Sequence, residues 1–223
     1  MNLNKEQIDQ FNKDGYLFFP DHFSKEEVKA LTLEVTNIYS IKEEINYREK
    51  DSSVVRTNWA AHLYNHVFAK LAKHPRMIHP VEDLLQEKLY MHQFKINGKM
   101  AFEGDLWQWH QDFGNWYNGD LMPSPRAMNI AIFLDEVTEH NGPLLFIPGS
   151  HKKGLIDSRL DTTTTSYPLW KVNNDTVKEL VNKAGGLKGG IVSPTGGVGS
   201  MIIFHSCLIH SSSNNLSPFN RTI

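Results

Sequence analysis

One cysteine, Cys207, stands alone in 223 residues. A single thiol excludes an internal disulfide and a thiolate zinc site, and it fits a reducing, cytoplasmic setting. Long apolar runs are missing too: nothing approaches the ~18 residues of a membrane span. The opening MNLNKEQIDQ is polar and helix-like, so it does not read as a secretory leader. Nor does one sign of charge dominate. With 23 basic against 25 acidic residues and a formal net charge of −2, no basic footprint for nucleic acid is present. No internal repeat is visible. The pairs Gly185-Gly186 and Gly189-Gly190 lack the strand–loop–helix context of a phosphate cradle. What remains is an ordinary soluble composition, 40% hydrophobic and 22% charged, for which one domain over residues 1–223 is the expectation.

Local patterns subdivide that domain. Residues 1–87 read as a mostly helical brace and residues 88–223 as a β core. A helix is expected over 5–13, ended by Asp14-Gly15, and a strand over Tyr16–Phe19. Ser24 and Glu27 form a capping box. It opens a helix over about 25–39 with Val28, Leu31, Val35 and Ile38 at helical spacing. Residues 41–58 are charged and turn-rich; they predict a mobile loop with Arg56 as a lid candidate. Helices follow near 60–72, 77–86 and 174–184, the last capped by Asn174. Strands are expected at Leu89–Ile96 and around 107–111, 127–135, 143–147, 200–204 and 208–211, with Gly and Pro between them. Helices first, then many short strands, argue for a mainly β fold: a sandwich or jelly roll braced by N-terminal helices. The closing Arg221-Thr-Ile223 reads as the start of a strand, so further chain is expected after it.

The most informative stretch is Trp107-Gln-Trp-His-Gln-Asp112. If His110 and Asp112 lie on a strand, both point to one face, because strand side chains alternate. One distant histidine would complete two imidazoles and a carboxylate, a set that covers one face of an octahedral Fe(II) and leaves the other open. His205 and His210 compete for that place. Their offset is odd, so only one can face the metal, and the spacing to Arg221 favours His210. A planar Arg fork suits a carboxylate. Arg221, with the hydroxyl of Ser212, therefore suits the far end of an acid that chelates the metal, such as 2-oxoglutarate. Trp116, read as lying in a loop, and Phe113 are candidate substrate walls. Arg126 would meet a substrate carboxylate, or else pair with Asp120 or Glu136. His140 and His151 read as turn or surface histidines.

Taken in order, these segments resemble the phytanoyl-CoA dioxygenase family, closest to its bacterial members that hydroxylate small amino acids, such as ectoine hydroxylase and leucine 5-hydroxylase. The residues that carry the resemblance are Gln93-Phe-Lys-Ile-Asn97, Trp109-His-Gln-Asp-Phe113 with Trp116, Pro125-Arg-Ala127, Phe133-Leu, and Asn141-Gly-Pro-Leu144 through Ile147-Pro-Gly-Ser-His151. The last is His210-Ser-Ser through Pro218-Phe-Asn-Arg221. The resemblance implies a double-stranded β-helix (a cupin-like jelly roll), Fe(II), 2-oxoglutarate as co-substrate and O₂. It implies His110, Asp112 and His210 as metal ligands, and Arg221 with Ser212 on the distal carboxylate. Gln93 and Asn97 would lie on the strand approaching co-substrate and substrate, with Trp116 beside the substrate. Residues 114–115 are smaller and more polar than in the relatives, which bears on the substrate. Related halogenases lose the metal carboxylate; Asp112 is present, which favours hydroxylation.

The expected activity is hydroxylation of an aliphatic C–H in a small free amino acid, leucine-like by preference, with release of succinate and CO₂. One alternative is the same chemistry on an acyl thioester, a carrier-bound aminoacyl group or a natural-product scaffold. Another is a non-catalytic cupin-like binding protein. The partner expected is a small molecule, with neither nucleic acid nor membrane involved.

Overall fold

Two capping boxes set the N-terminal helices. Asn4 accepts from the Gln7 amide, and Gln7 returns the bond, at the start of α1 (Lys5–Asp14). Gly15, at φ 86°, closes it in the left-handed conformation that glycine adopts without strain. Ser24 and Glu27 do the same for α2 (Lys25–Ser40), which buries Val28, Leu31, Val35 and Ile38 as its spacing predicts. The computed structural model describes residues 2–50, 52–164 and 168–223. Short helices α3 (Ala61–Tyr64), α4 (His66–Leu71) and α5 (Pro75–Leu85) complete the N-terminal layer.

The rest is mainly β, in three antiparallel sheets. The first has the order β1 (Tyr16–Phe19), β10 (Met201–His205), β6 (Met128–Ile132). The second runs β7 (Leu144–Phe146), β11 (His210–Ser212), β5 (Trp107–His110), β9 (Leu169–Val172), β8 (Ser158–Asp161). The third runs β12 (Arg221–Thr222), β4 (Lys95–Lys99), β3 (Val55–Trp59), β2 (Asn46–Arg48). Main-chain bonds extend the third sheet to the first: Leu134 donates to Thr222 O at 2.9 Å. Helices α6 (Asp112–Gly119) and α7 (Asn174–Lys183) each lead from a strand of the second sheet, β5 and β9, to one of the first, β6 and β10.

Alternation along β10 sorts two cores. Met201 and Ile203 join Leu31, Val35 and Phe11 under the helices. Ile202 and Phe204 face the other way, with Phe133, Phe146 and Leu208. Phe146 of the second sheet lies 5.3 Å from Tyr16 and 5.1 Å from Phe204, so the first two sheets face each other across an aromatic layer. His210 lies against that layer, beside Phe146 and Phe204.

Several sequence expectations need correction. Residues 41–58 are not a mobile loop: they hold the β2–β3 hairpin, and β3 pairs with β4 in register Thr57↔Asn97. Arg56 is no lid residue. It is 1% exposed and ion-paired to Glu49 at 2.7 Å. Buried charges in a hairpin mimic a solvated loop when only composition is read. The strand expected at Leu89–Ile96 begins instead at Lys95, because Phe94 packs between His62 and Phe68 in the helical layer. The N-cap of α7 is Asn173, one residue earlier than expected. A threonine run, Thr162–Thr165, lies partly outside the described residues. No helix among the described residues is long and apolar enough to cross a membrane.

Candidate active site

His110 ends β5 and His210 opens β11, and the two are direct partners in the antiparallel pairing. Their ring centroids lie 4.1 Å apart. Asp112 reaches them by a different route from the one its spacing suggests. It is not on the strand with His110; it is the first residue of α6, where the helix N-terminus favours a carboxylate. Its two oxygens lie 3.8 Å from His110 Nε2 and 3.5 Å from His210 Nε2. One ligand atom from each residue falls within 4.8 Å of the others.

The histidines are oriented by their own chain. His110 Nδ1 lies 2.6 Å from Gln108 O, and His210 Nδ1 lies 2.9 Å from Leu208 O. An Nδ1–H donor at each position leaves the Nε2 lone pair free for a metal. Burial, then the neighbouring His210, pushes His110 down to about 3, so its ring is neutral near pH 7. Burial alone would raise Asp112, but His210, His110 and Lys95 outweigh it and the carboxyl is held down. Two imidazoles and a carboxylate converging in this way are a donor set that fits a divalent transition metal. Phe146 and Phe204 back His210 at 6.3 and 5.0 Å.

His205 faces away. It shares the helix-side face of β10 with Ile203, and its Nδ1 accepts from Cys207 N at 3.0 Å. Burial, then His151 5.4 Å away, pushes it down to about 4. His151 is half-buried against Phe11. The surface expected for it is thus only partly present, because α1 packs over it.

A second cluster gathers around Arg221 in β12. Its Nε and Nη2 donate to Gly142 O at 3.1 and 2.5 Å, and Nη2 also donates to Ser212 Oγ at 3.1 Å. Arg221 is 2% exposed and Ser212 1%. Burial pushes the guanidinium down to about 10, still fully protonated near pH 7. Asn97 accepts from Thr57 Oγ1 at 2.8 Å on the neighbouring strand.

The third group lies at the end of α6. Trp116 is on that helix, not in a loop, and is 6% exposed. The run Gly114–Asn115 disguised the helix by its poor propensity; tertiary contacts hold it, such as Trp170 N donating to Asn115 Oδ1. Trp116 meets the His92 ring edge-on at 5.1 Å, and His92 and Gln93 both reach Asp120 Oδ2, at 3.0 and 3.3 Å. Phe113 is buried against Tyr117. Arg126 pairs with neither Asp120 nor Glu136. It is exposed and binds Glu87 and Leu85 O, contacts from the end of α5 that sequence spacing does not encode.

Four residues escaped the sequence reading. Lys95 lies 4.4 Å over the Trp59 ring; its place between Gln93 and Asn97, two residues from each, was the available signal. Asn129 of β6 shares its face with Phe204, and its buried side-chain amide lies beside Asp112 and helps hold that carboxyl down. Gln111, 1% exposed, ties the junction between His110 and Asp112 to Gly154 O, Cys207 O and Ile156 N. Lys99 is buried beside Arg221, which no rule for lysine anticipates.

Comparison with known proteins points one way. The model of the family described as phytanoyl-CoA dioxygenase (PhyH) matches residues 11–223. L-proline trans-4-hydroxylase of Streptomyces griseoviridis is 37% identical over 219 residues, covering 96% of this chain and 82% of that one. Ectoine dioxygenase of Sphingopyxis alaskensis is 32% identical over 229 residues, covering 98% and 73%. The crystal structure of EctD from S. alaskensis with 2-oxoglutarate and 5-hydroxyectoine superposes with a TM-score of 0.85, at 32% identity, over 99% of this chain and 73% of that one.

Proposed function

Because the chain belongs to the phytanoyl-CoA dioxygenase family, we propose that it is an Fe(II)- and 2-oxoglutarate-dependent dioxygenase that hydroxylates an aliphatic C–H of a small free amino acid or derivative. The observation that carries this is the His110–Asp112–His210 cluster, with buried Arg221 and Ser212 in a second cluster on the adjoining strands. When bound, iron and 2-oxoglutarate supply the activation of O₂, with succinate and CO₂ as co-products.

The protein's own residues supply position and exclusion of water. His110, His210 and Asp112 would hold the metal, with Gln108 O and Leu208 O fixing the imidazole tautomers. Arg221 and Ser212 would hold the distal carboxylate, and Asn97 and Gln93 would approach co-substrate and substrate. Trp116 would wall the substrate, backed by buried Phe113. Arg126 stands in this reading only as a rim residue. The family relatives named above act on proline and ectoine, which are compact rings. Leucine-like and cyclic amino acids are therefore the substrates to compare. The cytoplasmic assignment is supported by the one thiol, Cys207, which is buried and pushed up to about 11 by that burial.

The test is succinate release by protein reconstituted anaerobically with Fe(II), then aerated with 2-oxoglutarate and leucine, proline or ectoine. One of these should give a product heavier by one oxygen atom, in step with succinate. His110→Ala and Asp112→Ala should abolish both signals while leaving the circular dichroism unchanged. Turnover that survives either substitution would refute the assignment.

A further inference from the structure

Lys99 and Arg221 are direct cross-strand partners where β12 pairs with β4. Their side chains therefore leave the sheet on one face, with Cβ atoms about 5 Å apart. Lys99 is 1% exposed and Arg221 2%. Two like charges placed opposite each other in a buried sheet destabilise it. The fold offsets them only in part: Glu49 and Asp105 act on Lys99, and Asp135 on Arg221, from beyond contact distance. Neither forms an ion pair with a described carboxylate. Arg221 meets Gly142 O and Ser212 Oγ, while Lys99 Nζ donates to Asp105 O and, at 2.6 Å, to Ser213 O. These partners are neutral. Arg56, a third buried cation nearby, is already matched by Glu49.

The two cations also share a wall. Gly142 offers its carbonyl to Arg221, and a Cβ built on Gly142 would lie 2.4 Å from Lys99 Cδ. Burial first, and then the charge of Arg221, hold Lys99 well below the usual lysine range. Glu49 and Asp105 do not make up that cost and neither contacts the ammonium, a mismatch that an anionic ligand in contact would relieve. Two of the three ammonium donors go to carbonyls, which leaves one.

We propose that Lys99 is the second cationic element of the Arg221 pocket and makes it selective for a 2-oxo acid bearing a distal carboxylate over one of equal length without it. This rests on the co-substrate reading given above and adds the residue that sets its charge requirement. Lys99 acts as a specificity residue through its field, not as a catalytic group.

The test uses the full chain loaded with Mn(II) and titrated calorimetrically with 2-oxoglutarate and with 2-oxovalerate, which carries a methyl group in place of the distal carboxylate. The wild type should bind 2-oxoglutarate more tightly. Lys99→Met should weaken 2-oxoglutarate by about tenfold or more and leave 2-oxovalerate unchanged, so the preference collapses; Lys99→Arg should keep it. Lys99→Gln, which can still donate to the two carbonyls, covers a Met variant that does not fold. Equal weakening of both acids, or of neither, would make Lys99 a structural tie and overturn the inference alone. A wild type that does not bind 2-oxoglutarate overturns the co-substrate reading as well.

Discussion

Replacing Arg56 by Met should unfold more of this protein than a single side chain in a charged hairpin suggests. Arg56 Nη1 lies 2.7 Å from Glu49 Oε2, and the two side chains are 1% and 4% exposed. Its Nη2 donates to Leu106 O at 2.6 Å, and its guanidinium carbon stands 3.9 Å from the Trp107 ring centroid. Glu49 in turn accepts from Asp105 N at 3.0 Å. Removing one partner of a buried pair leaves the other charge uncompensated, at a cost of about 3–5 kcal/mol. For a chain of this length that is a fall in Tm of roughly 6–20 °C. Urea unfolding of Arg56→Met, Glu49→Leu and the double variant would measure it. The double variant should lose less than either single one, because it buries no orphaned charge, giving a coupling of about 2 kcal/mol or more. Metal affinity should follow, since Trp107 lies 6.4 Å from the His110 ring. A loss below about 1 kcal/mol for Arg56→Met, or additive single effects, would refute the reasoning.

Three further outcomes are expected. His205 is held at about 4, below its unfolded value, so its contribution is present above pH ~6.5 and lost as pH falls toward 4. Stability should drop by about 2 kcal/mol between pH 7 and pH 4.5, and His205→Asn should flatten that slope in urea titrations at the two pH values. Phe146→Ala removes a fully buried ring that touches Tyr16, Phe204 and His210, so about 3–5 kcal/mol should be lost and Mn(II) binding weakened. Gly142→Ala puts a Cβ at φ 79° and 2.8 Å from Ser213 O; KM for 2-oxoglutarate should rise, beyond a strain cost of about 1–2 kcal/mol seen in melting. An unchanged KM would mean that Gly142 does not shape the pocket.

What could be read in the sequence was local or periodic. The two capping boxes and the apolar stripe of α2 follow from local patterns that survive folding, whereas the odd offset chose His210 over His205 for the wrong reason, since the two lie on different strands, β10 and β11, with a turn between them. What could not be read depended on distant partners. Glu49 and Arg56 look solvated until the segment at Leu106 is packed on them. The polar strand β8 is joined to β9 by Asp161–Lys171 at 2.7 Å, without an apolar alternation of its own to announce it. The two first ligands were placed together for a reason that is only half right. A two-residue spacing converges here because a strand stops and a helix starts, not because a strand continues.

That stop-and-start is fixed by Gln111, and it bears on how a metal would be acquired. The amide of Gln111 grips Cys207 O at 2.6 Å, three residues ahead of His210, while its backbone joins His110 to Asp112. Closing a loop of about a hundred residues costs on the order of 4 kcal/mol of chain entropy. The protein's own bonds carry that closure, through Gln111 on Cys207 O and the pairing of β5 with β11. Binding therefore does not have to assemble its own ligands, unlike the small zinc domains in which metal and folding are one event. The apoprotein should be a folded receptor, so metal exchange can proceed on the native chain, and chelators should empty the protein without denaturing it.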